Sequence, residues 1–295
     1  MRGAPAEAFV VAGVVERYGE VDAQCGDAHV EAQAGTDAVE TASGTSDGDE
    51  TSTEANAAFT LAAENAAAQG LPTPPNVDIS SWELLLANSR HPIGDYTPPQ
   101  LAYLNMTGDE TDIQYSYNEY RCPVDSRIAE ALVAFSQACK AEGLPVYLSS
   151  GYRSYDDQNY LFQRKIGQGY TEDVAATIVA RPGTSEHQTG LACDITDYYH
   201  ELKDSTLENT ATYQWMKEHC AEYGFVVRYP ADKSGSADSI TGIIYEPWHF
   251  RYVGVEPAVY MTENGLCLEE FLMLYEGNTV YLPEAGQGLR VNERD

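Results

Sequence analysis

Six histidines punctuate the chain, at positions 29, 91, 187, 200, 219 and 249, and two stand in contexts that read as a metal site. His187 lies in Ser185-Glu186-His187-Gln188-Thr189-Gly190-Leu191-Ala192-Cys193-Asp194. His249 lies in Glu246-Pro247-Trp248-His249-Phe250-Arg251. Catalytic zinc takes three protein ligands of the His and carboxylate type and keeps a fourth position for water. His187, Asp194 and His249 supply such a set. Asp194 falls inside the apolar run Leu191-Ala192-Cys193-Asp194-Ile195, where an unpaired carboxylate is costly and ligation removes that cost. A buried Asp bonded to backbone amides is the alternative. Glu246 is the candidate general base, because a carboxylate beside a metal-bound water is what metal-assisted hydrolysis requires. In an unbroken strand, residues i and i+3 point to opposite faces. Pro247 cannot continue a central ladder, so a bulge or turn is expected there, and it would bring Glu246 and His249 to one site. Without it, Glu246 is a solvent-exposed strand end.

A third segment, Gly151-Tyr152-Arg153-Ser154, completes a pattern. With Ser185-x-His187-x-x-Gly190-x-Ala192-x-Asp194 and Glu246-x-Trp248-His249-x-Arg251, it resembles the VanY-type D-alanyl-D-alanine carboxypeptidases. These are zinc metallopeptidases related to the lysostaphin and Hedgehog-like folds. The resemblance covers roughly residues 80–260, with the motifs in the family's order. It implies zinc held by His187, Asp194 and His249, and Glu246 taking the proton from the zinc-bound water. Arg153 would engage the substrate's terminal carboxylate or the developing oxyanion, a task suited to a planar bidentate donor. Ser185 and Gln158 would hold the substrate's terminal residue, with Arg251 and Trp248 in support. The bland alternatives are a loop Arg153 paired with a surface acid, a turn-capping Ser185, a solvated helical Gln158 and an Arg251 that merely pairs with an acid.

The implied activity is zinc-dependent hydrolysis of the terminal D-Ala of peptidoglycan stem peptides ending in D-Ala-D-Ala. An L,D-carboxypeptidase acting on tetrapeptide stems shares the same motifs. A non-catalytic wall-binding module of the same fold would not need Glu246 or the full ligand set. An endopeptidase cutting cross-bridges would need an open cleft in place of an arginine-capped pocket. The family implies a place in the cell envelope or outside the cytoplasm.

The elements that must position these residues read as an α+β domain, helices first and antiparallel-type strands later. The resemblance adds a small antiparallel sheet carrying the zinc site, with helices packed on one side (Hedgehog/D-Ala-D-Ala peptidase-like). Helices are expected at 125–140, 156–166, 173–180, 212–223 and 269–275. Strands are expected at 82–88, 145–149, 191–196, 225–229 and 242–245, the last resuming at 249–253.

Acids outnumber bases 46 to 17, for a net charge of −29. That balance excludes nucleic acid as a partner, since counterion displacement needs a basic footprint. It also excludes docking of the folded domain on an anionic membrane surface through a polybasic face. Residues 1–75 hold 13 acids and 2 bases and almost no aromatics. They read as a disordered, acidic Ala/Thr/Ser-rich leader or spacer, dispensable for catalysis, with a transient helix at 55–69. The carboxypeptidase domain is then 76–275, followed by a tail at 276–295. The apolar run Ala8 to Val15 is broken by Glu16-Arg17, so it is read as a chance patch rather than a clear signal peptide. No run approaches the 18 or so apolar residues of a membrane span.

Cysteines stand at 25, 122, 139, 193, 220 and 267. Cys139 lies about 20 Å up the helix that starts near Cys122, too far for a disulfide between them. If Asp194 faces a metal, Cys193 faces the other side of its strand. Cys220, on the apolar face of the 212–223 helix with Tyr213 and Met216, is its candidate partner, as a disulfide or as packed thiols.

Overall fold

The computed structural model describes residues 50–107, 113–197, 200, 203–276, 282–284 and 287–289. All belong to one compact unit, Ser46–Asp295. The readings of residues 1–49, with the apolar run and Cys25, lie outside the described residues.

Four strands make the sheet that carries the site: β3 (Tyr147–Ser150), β4 (Ala192–Thr196), β5 (Phe225–Tyr229) and β6 (Glu246–Tyr252). Their order is β3-β4-β6-β5, antiparallel throughout. A separate hairpin pairs β1 (Leu101–Asn105) with β2 (Arg121–Asp125). A second two-stranded pair, β7 (Leu282–Glu284) and β8 (Gln287–Leu289), follows the domain's last helix.

The central strands are buried on both faces. Along β4, Cys193 and Ile195 turn to the main core, while Asp194 turns to the opposite face. Two helices, α2 (Ala129–Ala141) and α5 (Ala211–His219), cover the core face. Leu132, Phe135 and Cys139 of α2 recur at helical spacing, and so do Tyr213 and Met216 of α5. Phe135 is the hub: its ring lies 5.5 Å from Phe225, 5.4 Å from Tyr223 and 5.8 Å from Phe250. On the other side come α3 (Tyr155–Gly167) and α4 (Glu172–Ile178). Ser154 and Asp157 form a reciprocal capping box that starts α3 immediately after Arg153.

A second core joins α1 (Glu50–Ala68), α6 (Val255–Asn264) and α7 (Leu268–Glu276). Here the expected spacer is corrected, since residues 50–75 belong to the folded domain. Ala62 and Ala66 are fully buried in one cluster with Phe271, Leu274 and Tyr275. Asn65 Nδ2 donates to the Leu274 carbonyl at 2.8 Å, and the Tyr260 and Tyr275 hydroxyls donate to the carbonyls of Pro72 and Pro75. Alanine buries little area by itself, which is why the composition reads as unfoldable. Its small side chain also lets one helix lie close on another. Deleting residues 1–75 uncovers this face of α7 and is expected to cost on the order of 2–4 kcal/mol. A thermal melt should show the loss, at roughly 2–4 °C per kcal/mol for a domain of this size. An unchanged melting temperature would restore the spacer reading.

Four further expectations are corrected. Residues 82–88 form no strand; Trp82–Leu84 is a 3₁₀ turn. Its apolar residues are covered by tertiary packing, with Trp82 stacked 5.9 Å from Tyr252 and the Arg127 guanidinium 4.0 Å from its ring. Residues 242–245 are irregular, since Gly242 takes a φ of 72° that leaves the extended region. The helix expected at 212–223 ends at His219 and continues as a 3₁₀ turn, Cys220–Tyr223. The sulfur partner of Cys193 is also different. Cys122 Sγ lies 3.9 Å from Cys193 Sγ, and both are free thiols, whereas Cys220 Sγ points to the Lys217 carbonyl.

Candidate active site

Register sets the site. Across the sheet, Ser150 pairs with Asp194 and Asp194 pairs with His249, so the two side chains from β4 and β6 emerge side by side on one face. His187 arrives from outside the sheet, on the 3₁₀ turn Glu186–Thr189 that leads into β4. Two glycines allow that approach. Gly190 turns the chain into β4 with φ 70°, and a Cβ there would sit 2.8 Å from the Asp125 nitrogen. At Gly151 a Cβ would meet the Pro123 carbonyl oxygen at 1.9 Å, so only glycine lets the β3–α3 loop lie against β2. The Gly151 carbonyl then accepts a hydrogen bond from His187 Nδ1 at 2.7 Å.

The expected bulge is present. Val227 pairs with Phe250 but Tyr229 pairs with Glu246, so β6 carries two extra residues against β5 around Pro247. This break in phase puts Glu246 Oε2 3.6 Å from His249 Nδ1.

His187 Nε2 and His249 Nδ1 each stand 3.2 Å from Asp194 Oδ1. A tetrahedral ion with ~2.0–2.1 Å bonds separates its ligand atoms by about 3.3–3.4 Å; both histidine–aspartate separations are close to that, and the three ligand atoms all lie within 4.8 Å of one another. The chemistry of the buried atoms agrees. Asp194 Oδ1 and both ring nitrogens of His249 are buried with no hydrogen-bond partner. Burial, with the Arg153 charge, lowers the His187 pKa to about 4, leaving the neutral imidazole that a metal ligand must be. Burial alone would also lower His249, but the Asp194 and Glu186 carboxylates on either side of the ring override it and raise the pKa to about 9. The site therefore favours a positive charge where a cation would sit. The Asp194 carboxyl is held well below its usual range: burial opposes ionisation, and the adjoining His187 imidazole and Lys203 ammonium outweigh it. Burial, reinforced by the Asp194 charge, raises Glu246 to about 7.

A cavity of about 300 Å³ opens over these groups, lined by Arg153, Gln158, Ser185, His187, Glu246 and His249 together with Tyr229 and Ile243. The Nη1 of Arg153 donates to Gln158 Oε1 at 2.9 Å, and its Nε is buried without a partner. Gln158 Nε2 donates to the Ala180 carbonyl at 2.7 Å. Gln158 is thus buried, not solvated, and its amide steadies Arg153. Ser185 caps no backbone amide of the turn it precedes, so its hydroxyl is left to the cavity. Trp248 and Arg251 do not reach the cavity. Trp248 packs in the main core, and Arg251 lies beneath the site, 2.8 Å from Glu186.

Sequence reasoning passed over Glu186, Lys203, Arg228 and Tyr229. Lys203 Nζ lies 2.5 Å from Asp194 Oδ2 and so engages the oxygen turned away from the histidines. The Tyr229 ring stands 4.7 Å from that of His249. Glu186 had a signal, being a carboxylate between two motif residues. Lys203 and Arg228 had none, because only folding brings them to the site.

Two imidazoles and a carboxylate converging within 4.8 Å, with a second carboxylate and an arginine in the same cleft, define the type of site that metal-assisted hydrolases use. Residues 121–255 match the family model VanY, D-alanyl-D-alanine carboxypeptidase. A D-alanyl-D-alanine carboxypeptidase of Enterococcus faecalis is 36% identical over 223 residues, covering 72% of this chain and 74% of the relative. Two solved structures share the fold. The LdcB LD-carboxypeptidase has a TM-score of 0.54 at 35% identity, covering 63% of this chain and 83% of its own. A mutant of the vancomycin-resistance D,D-pentapeptidase VanY, in complex with Zn(II), has a TM-score of 0.52 at 34% identity, covering 65% and 99%. The chain belongs to the VanY family of D-alanyl-D-alanine carboxypeptidases.

Proposed function

We propose that this protein is a zinc-dependent carboxypeptidase that removes the terminal D-Ala of peptidoglycan stem peptides ending in D-Ala-D-Ala. The observation that carries the reading is the placement of Arg153 in the same cavity as the three convergent ligand atoms and Glu246. His187 Nε2, Asp194 Oδ1 and His249 Nδ1 would hold the zinc. When bound, the ion supplies Lewis-acid polarisation and a lowered water pKa. Glu246 would accept the water's proton and return it to the leaving amine. Arg153, steadied by Gln158, pairs with the free C-terminal carboxylate, and Ser185 offers a hydroxyl to the same terminal residue. The catalytic domain spans residues 50–276, with a tail after it. Its substrate places the protein outside the cytoplasm, and no helix among the described residues is long and apolar enough to cross a membrane.

Likeness to the LdcB LD-carboxypeptidase favours a second reading, release of D-Ala from tetrapeptide stems. Incubating the purified chain with penta- and tetrapeptide stems and weighing the products by mass spectrometry separates the two. D-Ala from the pentapeptide is expected. Release from the tetrapeptide alone establishes the L,D activity, and release from neither refutes both.

Recognition by Arg153 makes a further expectation. Arg153→Ala should lower kcat/KM on the free acid by about 10²-fold, the scale of a lost charge-assisted pair. It should leave the poor turnover of the C-terminal amide nearly unmoved. An equal loss on both substrates would make Arg153 structural.

A further inference from the structure

Directly beneath the metal-ligand cluster lie four charged side chains that hydrolysis does not use. Glu186, Arg228, Arg251 and Glu269 are each at most 1% exposed. Glu186 Oε1 accepts from Arg228 Nε and Arg251 Nη1, both at 2.8 Å. Arg228 reaches on to Glu269 of α7 at 2.6 and 2.9 Å, and Glu269 also accepts from Asn88 Nδ2 at 3.0 Å. Arg251 Nη2 donates to the carbonyls of Glu83 and Leu85. Buried ion clusters are expensive, and well-packed apolar residues usually serve stability as well or better. A cluster kept at this place calls for a reason beyond stability.

The other oxygen of Glu186 supplies it. Oε2 is buried with no hydrogen-bond partner and stands 3.4 Å from His249 Nε2, which is buried and has no partner either. That nitrogen is opposite the Nδ1 that faces Asp194 Oδ1 at 3.2 Å. A neutral imidazole carries one N–H, and only the nitrogen without it can ligate. We propose that Glu186 is a positioning residue for the metal site: it receives the Nε2–H of His249, fixing the ring and the tautomer that leaves Nδ1 free to bind the ion, while Arg228 and Arg251 clamp its other oxygen. The inference rests on the zinc reading above. His187 is held differently, by the neutral carbonyl of Gly151. The two histidines therefore have unlike anchors, and only that of His249 is a side chain that substitution can remove.

Two substitutions test this on the full chain. Glu186→Gln and Glu269→Gln each remove one carboxylate charge from the same cluster, but only Glu186 faces His249. Zinc affinity is read by chelator competition, and folding by thermal melts of the protein stripped of metal. Glu186→Gln is expected to weaken zinc binding 10–100-fold, the range for outer partners of ligating histidines. Glu269→Gln is expected to lower the melting temperature while leaving zinc affinity within twofold. Should Glu186→Gln fail to fold, Glu186→Asp keeps the charge for the arginines but draws the carboxylate back from the ring, and the same weakening is expected. Unchanged zinc affinity in a folded Glu186 variant overturns the proposal. So does an equal loss of affinity in Glu269→Gln, which would make the effect one of general stability. A wild-type chain that binds no zinc overturns the functional reading itself, and this inference with it.

Discussion

Glu246→Gln is expected to bind zinc as the unaltered protein does and to lose about 10²–10⁴-fold in kcat, the usual cost of removing a general base. Three observations set the expectation. Glu246 lines the cavity but stands apart from the converging ligand atoms, 3.6 Å from His249 Nδ1. It is nearly buried, and burial, with the Asp194 charge, holds its pKa near 7, in the range where a carboxylate both takes and returns a proton. The amide of Gln keeps the volume and cannot accept that proton. Zinc content by elemental analysis and steady-state turnover on a pentapeptide check it together. A Glu246→Gln protein that turns over at near wild-type rate would make the residue structural.

His249→Ala is expected to drop the zinc content from one equivalent to about a tenth or less, and turnover with it, because catalytic zinc takes three protein ligands and only two would remain. The loss should be of metal and not of fold. His249 is 2% exposed, but the neighbours along β6, Trp248 and Phe250, pack on the core independently of it. Elemental analysis beside a circular dichroism spectrum separates the two causes. Full zinc occupancy in a folded His249→Ala protein would overturn the ligand set.

How far the sequence carries can be read residue by residue. His187, Asp194 and His249 are legible because each stands in a motif whose residue types suit a single task. Glu246 is legible only through Pro247, whose inability to continue a ladder announces the bulge that the β5–β6 register shows. The same rule holds at β2: among the described residues it pairs with β1 alone, an edge position at which Pro123 is tolerated. Helix α6 had its signals, Pro257 in the first turn and Gly265 just past the end, but no apolar periodicity strong enough to draw attention to them. What was not legible was any residue whose meaning comes from a partner distant in sequence. Arg228 matters through Glu186, 42 residues away, and Asn65 through Leu274, 209 away. Alanine in α1 belongs here too. Its composition looked like a linker because the helix that receives it lies at the other end of the domain.

The sheet order has a consequence for timing. Asp194 and His249 sit on β4 and β6, the two inner strands, each hydrogen-bonded on both sides. Displacing the backbone that carries either ligand means opening the sheet itself, which costs close to the whole stability of the domain. Arg153 sits in the loop between an outer strand, β3, and helix α3. Loop motions run in nanoseconds to microseconds, while the inner strands open only on the scale of global unfolding. The two ligands that the sheet carries therefore keep their spacing through every turnover, and any reshaping of the site between substrate and product falls to its loops.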